Sequence, residues 1–184
     1  MSAQSDDQRD WADALSGDGE AFGRIFDRHR HRMFRHAYGV LGVVADADDA
    51  VSIAFLEAWR RADGVRFVHG SMLPWLLVTA TNASRNLARS SRRYRNMLSR
   101  LPADTHEGDR YVDLSDGDAL SALRSLSPAD QRILTLCVLE QLSEKDAASV
   151  LRIPVGTVKS RLSRAKARLA GQLTPRAKEI PNEQ

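Results

Sequence analysis

SEKDAASVLRIPVGTVKSRLSRAKARL, residues Ser143 to Leu169, reads as two short helices joined by a tight break, and the rest of the chain is organised around it. Ser143 can cap the first helix, with Asp146 three residues on in the place of a capping-box carboxylate, and Ala147, Ala148, Val150 and Leu151 supply an inward face. Arg152-Ile153-Pro154 ends it. Proline disfavours helical geometry in the residue before it and removes a backbone donor, yet it sits well just ahead of a new helix. From there Val155, Val158, Leu162, Ala165 and Leu169 recur at steps of three and four, one apolar stripe for packing onto the first helix. The other face carries Thr157, Lys159, Ser160, Arg161, Arg164 and Arg168. Two helices with a turn of about three to four residues, the second basic and hydroxyl-bearing, fit a helix-turn-helix whose second helix enters the DNA major groove. There lysine and arginine neutralise phosphates, and arginine can also read guanine. The blander reading, a solvated basic face on the last helix of a bundle, leaves the turn chemistry unexplained.

A length of 184 residues suits one or two small domains, and 42% hydrophobic with only 6% aromatic residues points to an all-α chain with aliphatic and alanine cores. The net charge of +3 is modest, but the charges are sorted into alternating acidic and basic blocks. Cys137 is the one cysteine, so no disulfide framework or cysteine zinc site can form within a single chain. The first residues are acidic and hold no apolar core, and no apolar run approaches the roughly 18 residues of a membrane span; a cytoplasmic protein is expected.

Outward from the motif, residues 1 to 20 are mostly polar, with Trp11, Ala14 and Leu15 as candidates for an anchoring turn. From Ala21 to Leu41, Phe22, Ile25, Phe26, Met33, Ala37 and Leu41 keep helical spacing, and Gly42 stops the helix. His29, His31 and His36 invite a metal reading, but no two are spaced three or four apart to face one ion; a hydrogen-bonded, partly buried His29 is the alternative, and no metal or other cofactor is expected. In the next helix Asp46, Asp48 and Asp49 complement the positive end of the dipole, and Val51, Ala54, Phe55, Ala58 and Trp59 form the core stripe. Opposite stand Asp49, Ser52, Ile53, Leu56 and Arg60. Apolar Ile53 and Leu56 beyond a complete stripe mean either a helix buried on both sides or a surface for a partner protein.

After Pro74 one long helix is apolar in its first half and basic in its second, with Arg85, Arg89, Arg92, Arg93, Arg95 and Arg100 and no acid between Gly64 and Ala103. Asn82 and Asn86 share one face of it, either as ordinary surface amides or as donors and acceptors for base edges. Residues 101–117 reverse the charge and gather Pro, Gly and Asp, a flexible acidic linker between two helical domains. Beyond it Leu120, Leu123 and Leu126 open a second domain, Ser127-Pro128-Ala129-Asp130 starts another helix, Ile133 to Leu142 fills the core beneath the motif, and residues 174–184 form a polar tail.

Two basic helical domains around an acidic linker resemble a bacterial sigma-70-type RNA polymerase sigma factor of the extracytoplasmic-function group, most closely in IPVGTVKSRLSRAKARL and DADDAVSIAFLEAWRRA. The resemblance implies that residues 20–100 bind the polymerase clamp and the promoter −10 element and that residues 118–172 read the −35 element. It puts Asp49, Ser52, Ile53, Leu56 and Arg60 on the clamp surface, Asn82 and Asn86 against the separated −10 strand, and Arg89, Arg92 and Arg93 on its phosphates. The −35 element would fall to Thr157, Lys159, Ser160, Arg161, Arg164 and Arg168. Core polymerase, through its clamp and flap, and promoter DNA are then partners, with room for an anti-sigma factor; no catalytic step is implied. The family usually has glutamine and an acid where Ser52 and Ile53 stand, and favours glycine at Arg152, whose backbone would enter the left-handed region at a cost of about 1–2 kcal/mol. A two-domain helix-turn-helix regulator that never joins polymerase is the runner-up, and a histidine-based metal hydrolase a distant third.

Overall fold

The computed structural model describes residues 5–98 and 118–173, and among these it is built of helices. In chain order they are α1 (Asp6–Leu15), α2 (Gly19–Leu41), α3 (Val44–Arg60), α4 (Leu73–Leu98), α5 (Asp118–Ser125), α6 (Pro128–Leu134), α7 (Glu144–Leu151) and α8 (Val155–Leu173). The expected linker and polar tail lie outside the described residues. Extended pairing among them is confined to one isolated bridge, Val68 to Ser71, in the loop before α4.

Helices α1 to α4 close around Trp11, Ile25, Met33, Phe55, Met72, Leu76 and Leu77, all buried. Asp18 starts α2 by accepting the Glu20 and Ala21 N–H groups at 2.9 and 3.2 Å. Gly42 ends it with φ 74°, in the left-handed region that favours glycine, and a Cβ there would meet the tip of the Arg124 side chain at 2.8 Å.

The N-terminal segment holds more than an anchoring turn. Ser5 and Gln8 form a capping box on α1, which sets Asp7 and Asp10 against α2. Arg28 pairs with both carboxylates, and Arg24 Nε donates to Asp10 at 2.9 Å. The second Asp7 oxygen is 2.8 Å from His29 Nε2 and accepts from the Met72 N–H at 2.9 Å and the Ser71 hydroxyl at 3.0 Å. Burial opposes ionisation of Asp7, but these donors outweigh it and hold the carboxyl well below the usual carboxylate range. His29 is the buried, hydrogen-bonded histidine its spacing suggested.

Helices α5 to α8 pack around Leu126, Ile133, Leu136, Ala148, Val150, Val158, Leu162 and Ala165. Two expectations are corrected. Ile133–Leu142 is core only in part: Val138 and Leu139 are exposed, where Thr135–Leu139 is π-helical and its wider turn shifts the apolar face, while Cys137 and Leu142 stay packed against the cluster. Val155 is also exposed, so the packed stripe of α8 begins one turn later, at Val158. The two halves touch, α2 against α5 and α4 against α6 and α7, and Val68 of the first half joins the apolar cluster of the second.

Candidate nucleic-acid interface

The break between α7 and α8 forms as its residues dictate. The Ser143 hydroxyl oxygen accepts the Asp146 N–H at 3.1 Å, and the hydroxyl donates to the Asp146 carboxylate at 2.6 Å. Arg152 takes φ 54°, ψ 47°, the left-handed cap expected of it, and Pro154 lends its carbonyl to the Thr157 and Val158 N–H groups that open α8. With Val158, Leu162 and Ala165 buried, Lys159, Ser160 and Arg164 face solvent, and Thr157 and Arg161 are partly covered. Thr157 and Arg161 line a hollow of about 190 Å³ at the turn together with Arg132 of α6. Burial first, then the Arg161 charge, lower the pKa of Arg132. Arg168 is set apart from this group, since its Nη1 pairs at 2.8 Å with the buried Asp130 carboxylate and ties α8 to α6.

On α4, Asn82, Asn86, Arg89, Arg92 and Arg93 are all exposed. Arg85, Arg89 and Arg92 line one side of a cleft of about 400 Å³, with Arg124 and Gln131 on the other. Burial, then the charges of Arg132 and Arg89, lower the Arg85 pKa. Asn82 and Asn86 also border a hollow of about 330 Å³ that includes Ile53, Glu57 and Trp75, so the amide face of α4 runs into the outer face of α3.

That outer face is open: Asp49, Ser52, Ile53, Leu56 and Arg60 are all exposed, which rules out a helix buried on both sides. Ser52 and Leu56 edge an apolar cleft of about 610 Å³ walled by Phe22, Phe26, Phe55 and Trp59. Trp59, expected in the core, is 48% exposed and stands edge-on to Phe22 at 5.6 Å and Trp11 at 6.5 Å.

Comparison with known proteins identifies the family. The model of sigma-70 region 2 matches residues 25–94, and that of sigma-70 region 4 matches residues 117–169. The ECF RNA polymerase sigma factor SigM of Mycobacterium tuberculosis is 32% identical over 157 residues, which cover 85% of this chain and 79% of SigM. The chain belongs to the extracytoplasmic-function sigma factors. BldN of Streptomyces coelicolor, another, is 31% identical over 163 residues, covering 85% of this chain but 62% of BldN, so the chain spans less than two thirds of that relative. Among solved structures, CnrH in complex with the cytosolic domain of CnrY superposes with a TM-score of 0.64 at 28% identity, covering 92% of this chain and 97% of that one.

As an RNA polymerase sigma factor the chain keeps region 2 on α2 to α4 and region 4 on α5 to α8. His36 Nε2 lies 2.8 Å from the Thr81 hydroxyl, and burial lowers its pKa to about 4. Among the described residues no group of three or more His, Cys, Asp or Glu could hold a metal ion, and no helix is long and apolar enough to cross a membrane. Two features of the sigma factor escaped the sequence. Arg132 carries no motif and joins the helix-turn-helix hollow only by tertiary packing; Phe22, Phe26 and Trp59 have core spacing and gave no sign that they wall an open cleft.

Proposed function

We propose that this sigma factor binds core RNA polymerase in the cytoplasm through the outer face of α3, lends it promoter recognition, and performs no catalytic step itself. The observation that carries this is the continuity of two faces: exposed Ile53 on α3 shares one hollow with Asn82 and Asn86 on α4. A protein seated on α3 would thus abut the strand that α4 reads. The clamp would rest on Asp49, Ser52, Ile53, Leu56 and Arg60, with the neighbouring apolar cleft taking aliphatic or aromatic side chains. Co-purification with core polymerase is the direct test, and a chain that binds duplex promoter DNA yet never co-purifies refutes it. An anti-sigma factor would be a third partner, in keeping with CnrH having been solved in complex with the cytosolic domain of CnrY.

Region 2 would hold single-stranded −10 DNA with the phosphates on Arg89, Arg92 and Arg93 and base edges on Asn82 and Asn86. Replacing Arg92 and Arg93 by alanine is expected to weaken binding to every −10 sequence and to flatten the salt dependence by about 0.7 in log–log slope for each phosphate left without its arginine. Asn82→Ala should instead relax preference at one position. Open-complex formation on promoters varied base by base distinguishes the two, and an unchanged promoter ranking in Asn82→Ala removes that residue from the site.

Region 4 would read −35 duplex DNA with Thr157, Lys159, Ser160, Arg161 and Arg164, while Arg168 reaches a phosphate only by sharing itself with Asp130. Arg161→Ala is expected to cost about 1–3 kcal/mol of specific binding if it meets a base, measured as the affinity ratio between −35 and unrelated duplexes. Equal loss on both duplexes assigns it to the backbone instead.

A further inference from the structure

The small hollow at the turn of the helix-turn-helix has the composition of an anion site. Arg132 of α6 and Thr157 and Arg161 of α8 line it, with apolar surface from Ile133, Leu151 and Ile153 and no carboxylate. Two guanidiniums therefore share a space of about 190 Å³ in which the one other polar side chain is a hydroxyl. Thr157, Arg161, Arg164 and Arg168 succeed one another at steps of four, three and four, so they form one flank of α8. At the far end of that flank Arg168 is neutralised by Asp130 at 2.8 Å. Arg132, two residues along α6 from that carboxylate, has no ion pair among the described residues, and neither has Arg161.

Arg132 is also short of acceptors. Its Nη1 donates to the Asn82 Oδ1 at 2.9 Å, while its Nε is buried without a hydrogen-bond partner. A guanidinium has five N–H donors, and a buried donor left unpaired in a native fold marks strain or the place of an ion that completes it. Burial and the Arg161 charge both oppose the charge on Arg132. The fold gains little from crowding two cations here, whereas an oxyanion in the hollow would offset both charges and accept from the free donors. Thr157 and Arg161 belong to the same flank as exposed Arg164, so a DNA strand passing along α8 would bring its phosphates to that flank and to Arg132 beside it.

We propose that Arg132 is a phosphate-binding residue of the helix-turn-helix: it receives one backbone phosphate of duplex DNA in this hollow, with the Thr157 hydroxyl as second donor, and so fixes the angle at which α8 enters the groove. The phosphate offsets the repulsion on Arg161, which is left to face the groove. This rests on the −35 role of α8. The test uses the full chain bound to core RNA polymerase, on duplex promoters in which the −35 phosphates are replaced one at a time by neutral methylphosphonate. Wild type, Arg132→Met and Arg132→Lys are compared for affinity, salt dependence and Tm.

Wild type should lose roughly tenfold in affinity at one phosphate position, the effect of one charge-assisted contact. Arg132→Met should bind the unmodified promoter roughly tenfold more weakly, lose nothing further at that position, and keep the wild-type ranking of −35 sequences. Its log–log salt slope should shrink by about 0.9, one phosphate's share on duplex DNA. Its Tm should not fall, since the unpartnered donor and the crowding go with the guanidinium. Arg132→Lys keeps the charge, so it should retain the slope and part of the affinity, and it carries the test if the methionine variant disturbs the fold. A variant as sensitive as wild type at every phosphate overturns the proposal, and a lowered Tm with parallel losses on all duplexes makes Arg132 purely structural. A changed ranking of −35 sequences overturns it too, by making Arg132 a base reader. The chain with Arg161→Ala and Arg164→Ala separates the failures. If that pair leaves affinity and ranking at the wild-type level, the −35 role of α8 itself fails; if the pair loses binding and Arg132→Met does not, only the phosphate site is wrong.

Discussion

Replacing Ile53 and Leu56 together by glutamate is expected to abolish association with core RNA polymerase while leaving helicity and Tm nearly unchanged. The two side chains are 36% and 48% exposed, and the buried face of α3 is complete without them through Ala47, Ala50, Val51, Ala54, Phe55 and Ala58. Nothing inside the domain is lost when they become charged. At an interface, two central apolar anchors each contribute about 2 kcal/mol or more, and buried carboxylates beside Asp49 and Glu57 add repulsion. A loss of about 4 kcal/mol is close to a thousandfold in affinity. Co-purification and a circular dichroism melt of the same preparation decide it. A variant that unfolds shows the residues to be packed, and one that still co-purifies moves the polymerase site off α3.

Asp7→Ala is expected to lower stability at neutral pH by about 3 kcal/mol, the cost of removing one partner from a buried ionic network. In a domain pair of this size that corresponds to roughly 6–12 °C in Tm. The loss is large because Asp7 ties three helices: Arg28 and His29 of α2 and the Met72 N–H at the start of α4 all converge on it from α1. Its folded pKa lies below the unfolded value near 3.8, so the carboxylate's contribution is whole above that value and fades as pH falls towards the folded one. The Tm gap between wild type and Asp7→Ala should therefore hold from neutrality down to about pH 4 and narrow only below it. A gap that closes at higher pH, or a variant as stable as wild type, shows that α1 does not depend on this carboxylate.

Local chemistry made the helix-turn-helix legible. The Ser143 cap, the stop at Ile153-Pro154, the left-handed Arg152 and the stripe from Val158 to Ala165 each involve residues a few positions apart, whose preferences act before any tertiary contact forms. The same holds for α2, bounded by Asp18 and Gly42; Ile53 and Leu56 stood out as apolar residues off the helix's own stripe, but spacing left open whether anything covered them, and the structure shows them exposed. The capping box Ser5-Asp6-Asp7-Gln8 was in principle readable too, but the reason α1 stays in place lies in Arg24, Arg28 and His29, far along the chain.

Periodicity reports which face of a helix is apolar and is silent on what covers it. Phe22, Phe26 and Trp59 therefore share the spacing of Ile25 and Phe55 although they wall an open cleft, and Val138 and Leu139 share that of Leu136 although a π-helical turn rotates them into solvent. Pairings between distant residues have no trace in local pattern at all. That Arg168 is held by Asp130, that Arg132 reaches Asn82 and that Arg32 finds Glu140 follow from the packing of whole helices. By itself the sequence determined two helical units, their basic faces and the helix-turn-helix; only the tertiary structure decided which of those charges face solvent and which are spent on one another, because that depends on distances between helices rather than on spacing within them.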